Sequence, residues 1–121
     1  MARVLIVDDS ESQLYALSKI VEDAGHDVIT AENGKEGVEK ALAEIPDLIL
    51  MDVVMPGLNG FQATRKISKD KSTEHVPVIF VTTKDQETDR IWGMRQGASA
   101  YITKPVDKAT LVDAMNKAMG A

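Results

Sequence analysis

The sequence predicts an α/β fold in which five parallel strands alternate with five helices along one domain. Three observations lead to this fold class. Five short apolar, β-branched runs are spaced along the 121 residues, at 4–7, 27–30, 47–51, 76–82 and 100–103. Stretches with helical periodicity lie between these runs. Strands that are apolar almost throughout, each followed by a helix, are typical of a parallel sheet with both faces covered.

The helices are indicated by apolar residues that recur three or four positions apart. The stripes are Leu14/Leu17/Ile20/Val21, Val38/Ala41/Leu42, Phe61/Thr64/Ile67, Ile91/Met94/Arg95 and Leu111/Met115/Met119. The third stripe is the thinnest. Ser10 and Asn33 are each followed three residues later by a Gln or Glu, which matches the capping box that begins a helix. Right-handed crossovers then bring the carboxyl ends of all five strands to one edge of the sheet.

Composition narrows the class of protein. The chain is 44% hydrophobic and 27% charged, which is typical of a globular protein in water, and no apolar run approaches the length of a membrane span. It has no cysteine, which excludes disulfides and thiol catalysis. The chain enters a strand at once, so we expect no signal peptide and a cytoplasmic location.

The charge is divided unevenly along the chain. Residues 1–60 carry four basic and twelve acidic side chains, a net charge of −8, whereas residues 61–121 carry ten and seven, a net charge of +3. The overall charge of −5 argues against a general nucleic-acid surface and against nucleic acid as a partner.

Three carboxylates follow two of the predicted strands. Asp8 and Asp9 end the first strand and Asp52 ends the third. In a doubly wound, flavodoxin-like sheet of order 2-1-3-4-5 these two strands are neighbours at the topological switch point, where ligands bind. Carboxylates crowded there raise one another's pKa, and a hard divalent cation relieves the repulsion. An all-oxygen ligand set predicts Mg²⁺, or Mn²⁺, at this edge.

A hydroxyl and an amine complete the same edge. Thr82 closes the fourth strand and Lys104 follows the fifth. A cation and a lysine together neutralise the charge of a transferred phosphoryl group, and an aspartate such as Asp52 is a competent phosphoryl nucleophile. The five polar residues therefore predict a site that handles phosphoryl groups.

Four motifs resemble the receiver domain of bacterial response regulators: "VLIVDDS", "LILMDVVMPGLNGF", "PVIFVTT" and "YITKPV". The resemblance covers essentially the whole chain. It implies one receiver domain over residues 1–121 that accepts a phosphoryl group from a histidine kinase, and that is not an enzyme in the usual sense. Because the chain ends just after the fifth predicted helix, we expect no output domain, and output through a partner protein or simple consumption of phosphoryl groups.

The resemblance also assigns roles to the polar residues. Asp52 matches the phosphoacceptor. Asp9 matches the direct Mg²⁺ ligand, Asp8 helps to bind the metal, and Val54 matches the position whose backbone carbonyl completes the metal shell. Lys104 matches the lysine that binds the phosphate.

Other positions match the parts of a receiver that respond to phosphorylation. Thr82 matches the hydroxyl that moves onto the phosphoryl group, and Tyr101 the aromatic ring that swings inward in the active state. The bond before Pro105 matches one that is commonly cis. Trp92, on the fourth helix, is either a partly buried packing residue or, with Tyr101, part of the face through which receivers contact output partners.

Three residues near the site bear on the rate of its chemistry. Thr83 stands where receivers often have Ala, and its bulk would slow phosphoryl access or its hydroxyl would assist it. Val54 and Lys84 are expected to flank the water that attacks the phosphoryl group. Neither can act as a general base, so slow self-hydrolysis is predicted. The Lys84 charge could shield the phosphoryl oxygens from the water, or it could stabilise the charge of the transition state.

Two other functions are weighed against the receiver. A metal-dependent phosphatase would need a second acid two residues after Asp52, where Val54 stands. A flavodoxin-like FMN carrier would need a phosphate cradle, but the first loop, "DDSES", is acidic.

The stretches "MPGLNGFQATR" and "VTTKDQETDRIWGMRQGA" resemble receivers of pilus-linked chemotaxis systems, which implies a role in pilus-driven (twitching) motility. We expect the protein to be a monomer.

Overall fold

A computed structural model describes residues 1–120 and contains five strands and five helices in strict alternation. The elements are β1 (Arg3–Val7), α1 (Glu11–Asp23), β2 (Asp27–Ala31), α2 (Gly34–Glu44), β3 (Leu48–Met51), α3 (Gly60–Lys69), β4 (Val78–Thr82), α4 (Glu87–Arg95), β5 (Ala100–Thr103) and α5 (Lys108–Ala118). The five runs predicted from the sequence coincide with the strands to within two residues at each end.

The strands form one parallel sheet in the order β2-β1-β3-β4-β5, which confirms the flavodoxin-like topology. The central pairing places Val7 of β1 beside Met51 of β3. On the other side of β3, Met51 pairs with Phe80 of β4, and Thr82 pairs with Thr103 of β5. The residues that follow β1, β3, β4 and β5 therefore meet at one edge of the sheet.

Two hydrophobic layers cover the two faces of the sheet. Alternate residues of β1 point to opposite faces: Leu5 and Val7 belong to the layer that packs against α2 and α3, whereas Val4 and Ile6 belong to the layer with α1 and α5. Burying each of these large side chains contributes about 1.5–3 kcal/mol. The apolar strands are therefore explained by burial on both faces.

The predicted helix starts are observed. The side chain of Ser10 accepts a hydrogen bond from the backbone N–H of Gln13 at 3.4 Å, and that of Asn33 accepts one from Glu36 at 2.8 Å. The reciprocal contact differs, because the Glu36 carboxylate binds the N–H of Glu32 rather than that of Asn33. No helix within residues 1–120 is long and apolar enough to span a membrane.

The helix α4 is observed, but the stripe that indicated it does not lie in the core. Ile91 and Met94 are 45% and 44% exposed, and Arg95 is exposed as well. The helix instead contacts the sheet through Gly93, its only buried residue. The reason is local: the ring of Tyr101 lies directly beneath Gly93 and takes the space that a larger side chain would fill.

Candidate functional site

The three predicted carboxylates meet at the carboxyl edge of β1 and β3. The backbone N–H of Asp52 donates to the carbonyl of Val7 at 2.9 Å, so the sheet ladder continues one step beyond the strands and aligns the two ends. One carboxylate oxygen from each of Asp8, Asp9 and Asp52 lies within 4.8 Å of the other two. Asp8 and Asp52 are buried, whereas Asp9 is exposed.

Lys104 reaches both buried carboxylates from the loop after β5. Its Nζ lies 2.6 Å from Oδ2 of Asp8 and 3.7 Å from Oδ2 of Asp52, and its side chain is only 9% exposed. Its backbone N–H donates to the carbonyl of Thr82 at 2.8 Å. The peptide bond between Lys104 and Pro105 is cis, in agreement with the resemblance. The amine is therefore a buried partner of two acidic groups.

Thr82 lies at the end of β4 on the same edge. Its side chain is completely buried, and its hydroxyl accepts a hydrogen bond from the backbone N–H of Lys84 at 3.2 Å. The next residue, Thr83, is exposed and lines the opening above the carboxylates. The other residues that line this opening are Asp8, Asp9, Ser10, Gln13, Asp52, Val54, Lys104 and Pro105.

Burial and charge shift the protonation of Asp52. Burial is the largest cause and raises the pKa of the Asp52 carboxyl above its ordinary value of 3.8. The Lys104 ammonium lowers this pKa, the negative charge of Asp8 raises it, and hydrogen bonds from the Thr82 hydroxyl and the Val54 N–H lower it. The net increase means that the folded protein holds an ionised Asp52 at a cost in free energy.

The donor set at this edge fits a hard divalent cation. All candidate ligands are carboxylate oxygens, two of them are largely withdrawn from water, and one of them faces solvent. Such ions keep several waters and bind through few protein carboxylates. Asp8, Asp9 and Asp52 could therefore hold a cation that offsets the repulsion between them.

Gly60, to which the sequence analysis assigned no role, positions the loop that carries Asp52. Its N–H donates to the carbonyl of Val53 at 3.0 Å. A Cβ on Gly60 would lie 2.0 Å from the carbonyl oxygen of Asp52, so no larger residue fits without moving that backbone. Asn59, just before it, caps α3 in a reciprocal capping box with Gln62. The sequence feature that could have indicated this role is a glycine directly after a residue that caps a helix.

Tyr101 is already turned inward in this structure. Its side chain is only 5% exposed, and its hydroxyl donates to the backbone carbonyl of Lys84 at 2.8 Å. Burial, together with the charge of Asp89, raises the pKa of Tyr101 to about 12. Trp92, by contrast, is 46% exposed on α4.

The two residues predicted to flank the attacking water line a second depression beside the acidic cluster. Val54 is 51% exposed and borders both openings. Lys84 lines the second one together with Asp89, and its Nζ lies 3.9 Å from Oδ1 of Asp89. The structure thus brings together every predicted site residue except Trp92, and it gives Lys84 a partner that the sequence did not suggest.

Comparison with known proteins agrees with this site. Residues 4–116 match the model of the response regulator receiver domain, and the chain belongs to that family. The chain is thus a response regulator receiver rather than a classical enzyme. This membership decides the choice that the sequence left between a receiver, a metal-dependent phosphatase and an FMN carrier in favour of the receiver.

Among curated proteins, the chain is 60% identical to protein PilH of Pseudomonas aeruginosa over 116 residues, which cover 96% of both chains. This similarity confirms the resemblance to pilus-linked receivers. The chain is also 41% identical to the response regulator PleD of Caulobacter vibrioides over 91% of its own length, but it spans only 24% of PleD.

Solved structures show the same fold. The chemotaxis protein CheY4 of Vibrio cholerae superposes with a TM-score of 0.91 at 32% identity, and the match covers 98% of both chains. The response regulator domain of Thermotoga maritima CheB gives a TM-score of 0.88 at 35% identity over 98% of this chain and 96% of that one.

Proposed function

We propose that this protein is a phosphorylation switch in which Asp52 accepts a phosphoryl group from a histidine kinase. The observation that carries the proposal is the grouping of Asp52 with two further carboxylates and a buried lysine. One oxygen of each carboxylate lies within 4.8 Å of the others, and Nζ of Lys104 lies 3.7 Å from Asp52. The receiver family to which the chain belongs supports a histidine kinase as the donor.

The step requires few protein groups. A carboxylate oxygen of Asp52 forms a bond to the donor phosphorus, while the bond between phosphorus and the donor atom breaks and leaves its electron pair on the donor. Lys104 neutralises charge on the phosphoryl oxygens, and the Thr82 hydroxyl is placed to donate a hydrogen bond to them. Alignment and charge neutralisation account for most catalysis in such transfers.

A divalent cation, Mg²⁺ or Mn²⁺, is proposed as the cofactor. Asp9 would bind it directly, Asp8 and Asp52 would contribute further oxygens, and the backbone carbonyl of Val54 would complete the protein ligands. When bound, the cation would neutralise negative charge on the transferred group. The donor set of buried and exposed carboxylate oxygens supports this assignment.

The pathway is inferred from the similarity to PilH. We propose a cytoplasmic, monomeric receiver over residues 1–121 that works in pilus-driven twitching motility. Its output would be a changed contact with a partner protein, or consumption of phosphoryl groups that would otherwise reach another receiver. Neither nucleic acid nor a membrane is required as a partner.

Labelling tests the phosphoacceptor. The purified protein is incubated with acetyl phosphate and Mg²⁺, or with a panel of phosphorylated histidine kinases, and the product is trapped with borohydride and mapped by mass spectrometry. We expect the label on Asp52, no label in Asp52→Asn, and full labelling of Asp23→Asn, which alters an exposed carboxylate of α1. Equal labelling of Asp52→Asn would refute the assignment.

A phosphoryl mimic tests the switch. If Thr82 moves onto the phosphoryl group, its hydrogen bond from the Lys84 N–H is lost, and the segment that carries the Tyr101 contact is disturbed. We expect beryllofluoride with Mg²⁺ to change Trp92 fluorescence and amide exchange in residues 82–104. Asp52→Asn should show neither change. Identical exchange with and without the mimic would indicate a passive phosphoryl acceptor.

A further inference from the structure

Lys84 lies between the phosphoacceptor site and the start of α4. Its backbone N–H donates to the hydroxyl of Thr82 at 3.2 Å, and its carbonyl accepts from the hydroxyl of Tyr101 at 2.8 Å. Its ammonium lies 3.9 Å from Oδ1 of Asp89. In this structure the backbone of Lys84 is held by two hydrogen bonds, whereas its side chain is 49% exposed and can change its partner.

Asp89 is held more firmly than Lys84. Its other oxygen, Oδ2, accepts from the backbone N–H of Gln86 at 3.3 Å as part of the capping box of α4. Its side chain is 21% exposed, compared with 49% for Lys84. The negative charge of this carboxylate, fixed by the helix cap, therefore attracts the flexible Lys84 ammonium towards the first turn of α4.

The ion pair lies in a depression next to the acidic site. Lys84 and Asp89 line the depression that also contains Val54, Asn59 and Phe61. Val54 borders the neighbouring opening, which contains Asp52 and Lys104. An ammonium in this adjoining depression has two competing acceptors once Asp52 carries a phosphoryl group: the Asp89 carboxylate and the phosphoryl oxygens.

We propose that Asp89 is a positioning residue that holds the Lys84 ammonium against α4 and thereby leaves the phosphoryl group on Asp52 open to water. The inference rests on the function proposed above and concerns the lifetime of the phosphorylated state. In hydrolysis the oxygen of water forms a bond to phosphorus, and the bond between phosphorus and the Asp52 oxygen breaks. The carboxylate is recovered, and both protons of the water leave with inorganic phosphate as H₂PO₄⁻.

The direction of the effect follows from where the ammonium lies. Paired with Asp89, Lys84 is partly neutralised and stays away from the path of the attacking water. Without the Asp89 charge it pairs with the phosphoryl oxygens and occupies that path, which slows hydrolysis. Partly exposed ion pairs are weak, so the expected change in the rate of phosphoryl loss is about two- to five-fold.

Decay of the trapped phosphoprotein tests the proposal in four variants. Asp89→Asn removes the charge but keeps an oxygen that can accept the Gln86 N–H, and it is compared in the parent and in a Lys84→Gln background. We expect slower decay by about two- to five-fold in the parent background and no change in the Lys84→Gln background. Asp113→Asn, which breaks a similar ion pair with Lys117 on α5, should decay like the parent protein.

Three results would overturn the proposal. The phosphorylated Asp89→Asn protein could decay as fast as the parent or faster. Asp89→Asn could slow decay equally in the parent and in the Lys84→Gln background, or Asp113→Asn could slow decay as much as Asp89→Asn does. The second result would mean that Asp89 acts through the helix cap alone. Slowing that weakens as salt is raised from about 0.1 to 1 M would support the electrostatic origin. Failure of the parent protein to take up any label would instead refute the phosphoacceptor itself, and this inference with it.

Discussion

At Asp52, burial and the negative charge of Asp8 disfavour the ionised carboxylate, which is the form that the proposed reaction requires. Burial raises the pKa of the Asp52 carboxyl, and Asp8 adds to the increase against the pull of Lys104. An acid whose pKa is higher in the folded than in the unfolded protein binds its proton more tightly when folded. Stability therefore falls as the pH rises through this interval, and the cost grows towards neutral pH.

Replacing Asp52 by Asn should stabilise the protein at pH 7. The substitution removes a buried charge and leaves a side chain of nearly the same shape. We expect the free energy of unfolding to rise by about 1 kcal/mol, or the Tm by about 4 °C. The gain should shrink as the pH is lowered through the raised pKa towards the ordinary value of 3.8. Thermal unfolding of both proteins between pH 3 and pH 8 measures it, and a gain that does not depend on pH would contradict the explanation.

Replacing Lys104 by Met should destabilise the protein. The Asp8 carboxylate is 1% exposed, and its 2.6 Å contact with Lys104 would be lost, which leaves a buried charge unpaired. We expect a loss of about 3 kcal/mol in urea unfolding. Lys108→Met, whose ion pair with Asp23 is exposed, should stay within about 0.5 kcal/mol of the parent. Equal losses in the two variants would remove the special role of Lys104.

Among the five helices, α4 is held to the sheet in an unusual way. Gly93 is its only buried residue, while Ile91, Trp92 and Met94 are all between 44% and 46% exposed. The guanidinium of Arg90 lies 5.4 Å from the centre of the Tyr101 ring and donates to the Tyr101 carbonyl at 3.2 Å. The helix is thus held by one ring and one arginine rather than by an apolar face.

Replacing Gly93 by Ala should therefore destabilise the protein, although Ala is the better helix former. The added Cβ would lie 2.8 Å from Cδ2 of Tyr101 and 3.2 Å from Cδ2 of Phe80. Overpacking of this kind costs about 1–3 kcal/mol, which exceeds the roughly 1 kcal/mol gained in helix propensity. Urea unfolding should show a net loss, and the loss should disappear in a Tyr101→Ala background. Net stabilisation by Gly93→Ala would refute the contact.

At the scale of the whole molecule, the fold collects opposite charges from distant parts of the chain. The acidic residues of the site come from the half with a net charge of −8, and Lys104 comes from the half with a net charge of +3. Asp8 and Lys104 are separated by 96 positions but are joined by a buried ion pair. One amine beside three carboxylates leaves the site with excess negative charge, so a cation should stabilise the folded protein as a whole.

Mg²⁺ should raise the Tm, and Asp9→Ala should abolish this effect. A cation that binds only the folded state stabilises it by about 1.4 kcal/mol at ten times its Kd, which corresponds to about 5 °C. Without metal, Asp9→Ala should be more stable than the parent, because one repelling charge is gone. Differential scanning fluorimetry with and without Mg²⁺ measures both effects. Glu39→Ala, an exposed change on α2, should keep the Mg²⁺ effect, and persistence of the effect in Asp9→Ala would refute the metal assignment.

The order of elements and the edge that carries the site could be read from the sequence. Apolar runs of strand length and stripes of helical spacing are local patterns, and the rule that crossovers are right-handed turns them into one sheet. That rule also places Asp8, Asp52 and Thr82 at the same edge. Their grouping follows from topology and needs no knowledge of side-chain packing.

The tertiary structure alone decided which of these groups touch and which faces are covered. The stripe on α4 has the spacing of a buried face, but a face is buried only where a partner surface exists, and there the Tyr101 ring meets Gly93 instead. The inward position of Tyr101 depends on a carbonyl 17 residues away, at Lys84. The pairing of Lys104 with Asp8, which lie 96 positions apart, likewise depends on packing, because sequence spacing does not determine which distant side chains meet. Lys84 and Asp89 are close in the sequence, but their contact depends on the path of the loop that enters α4.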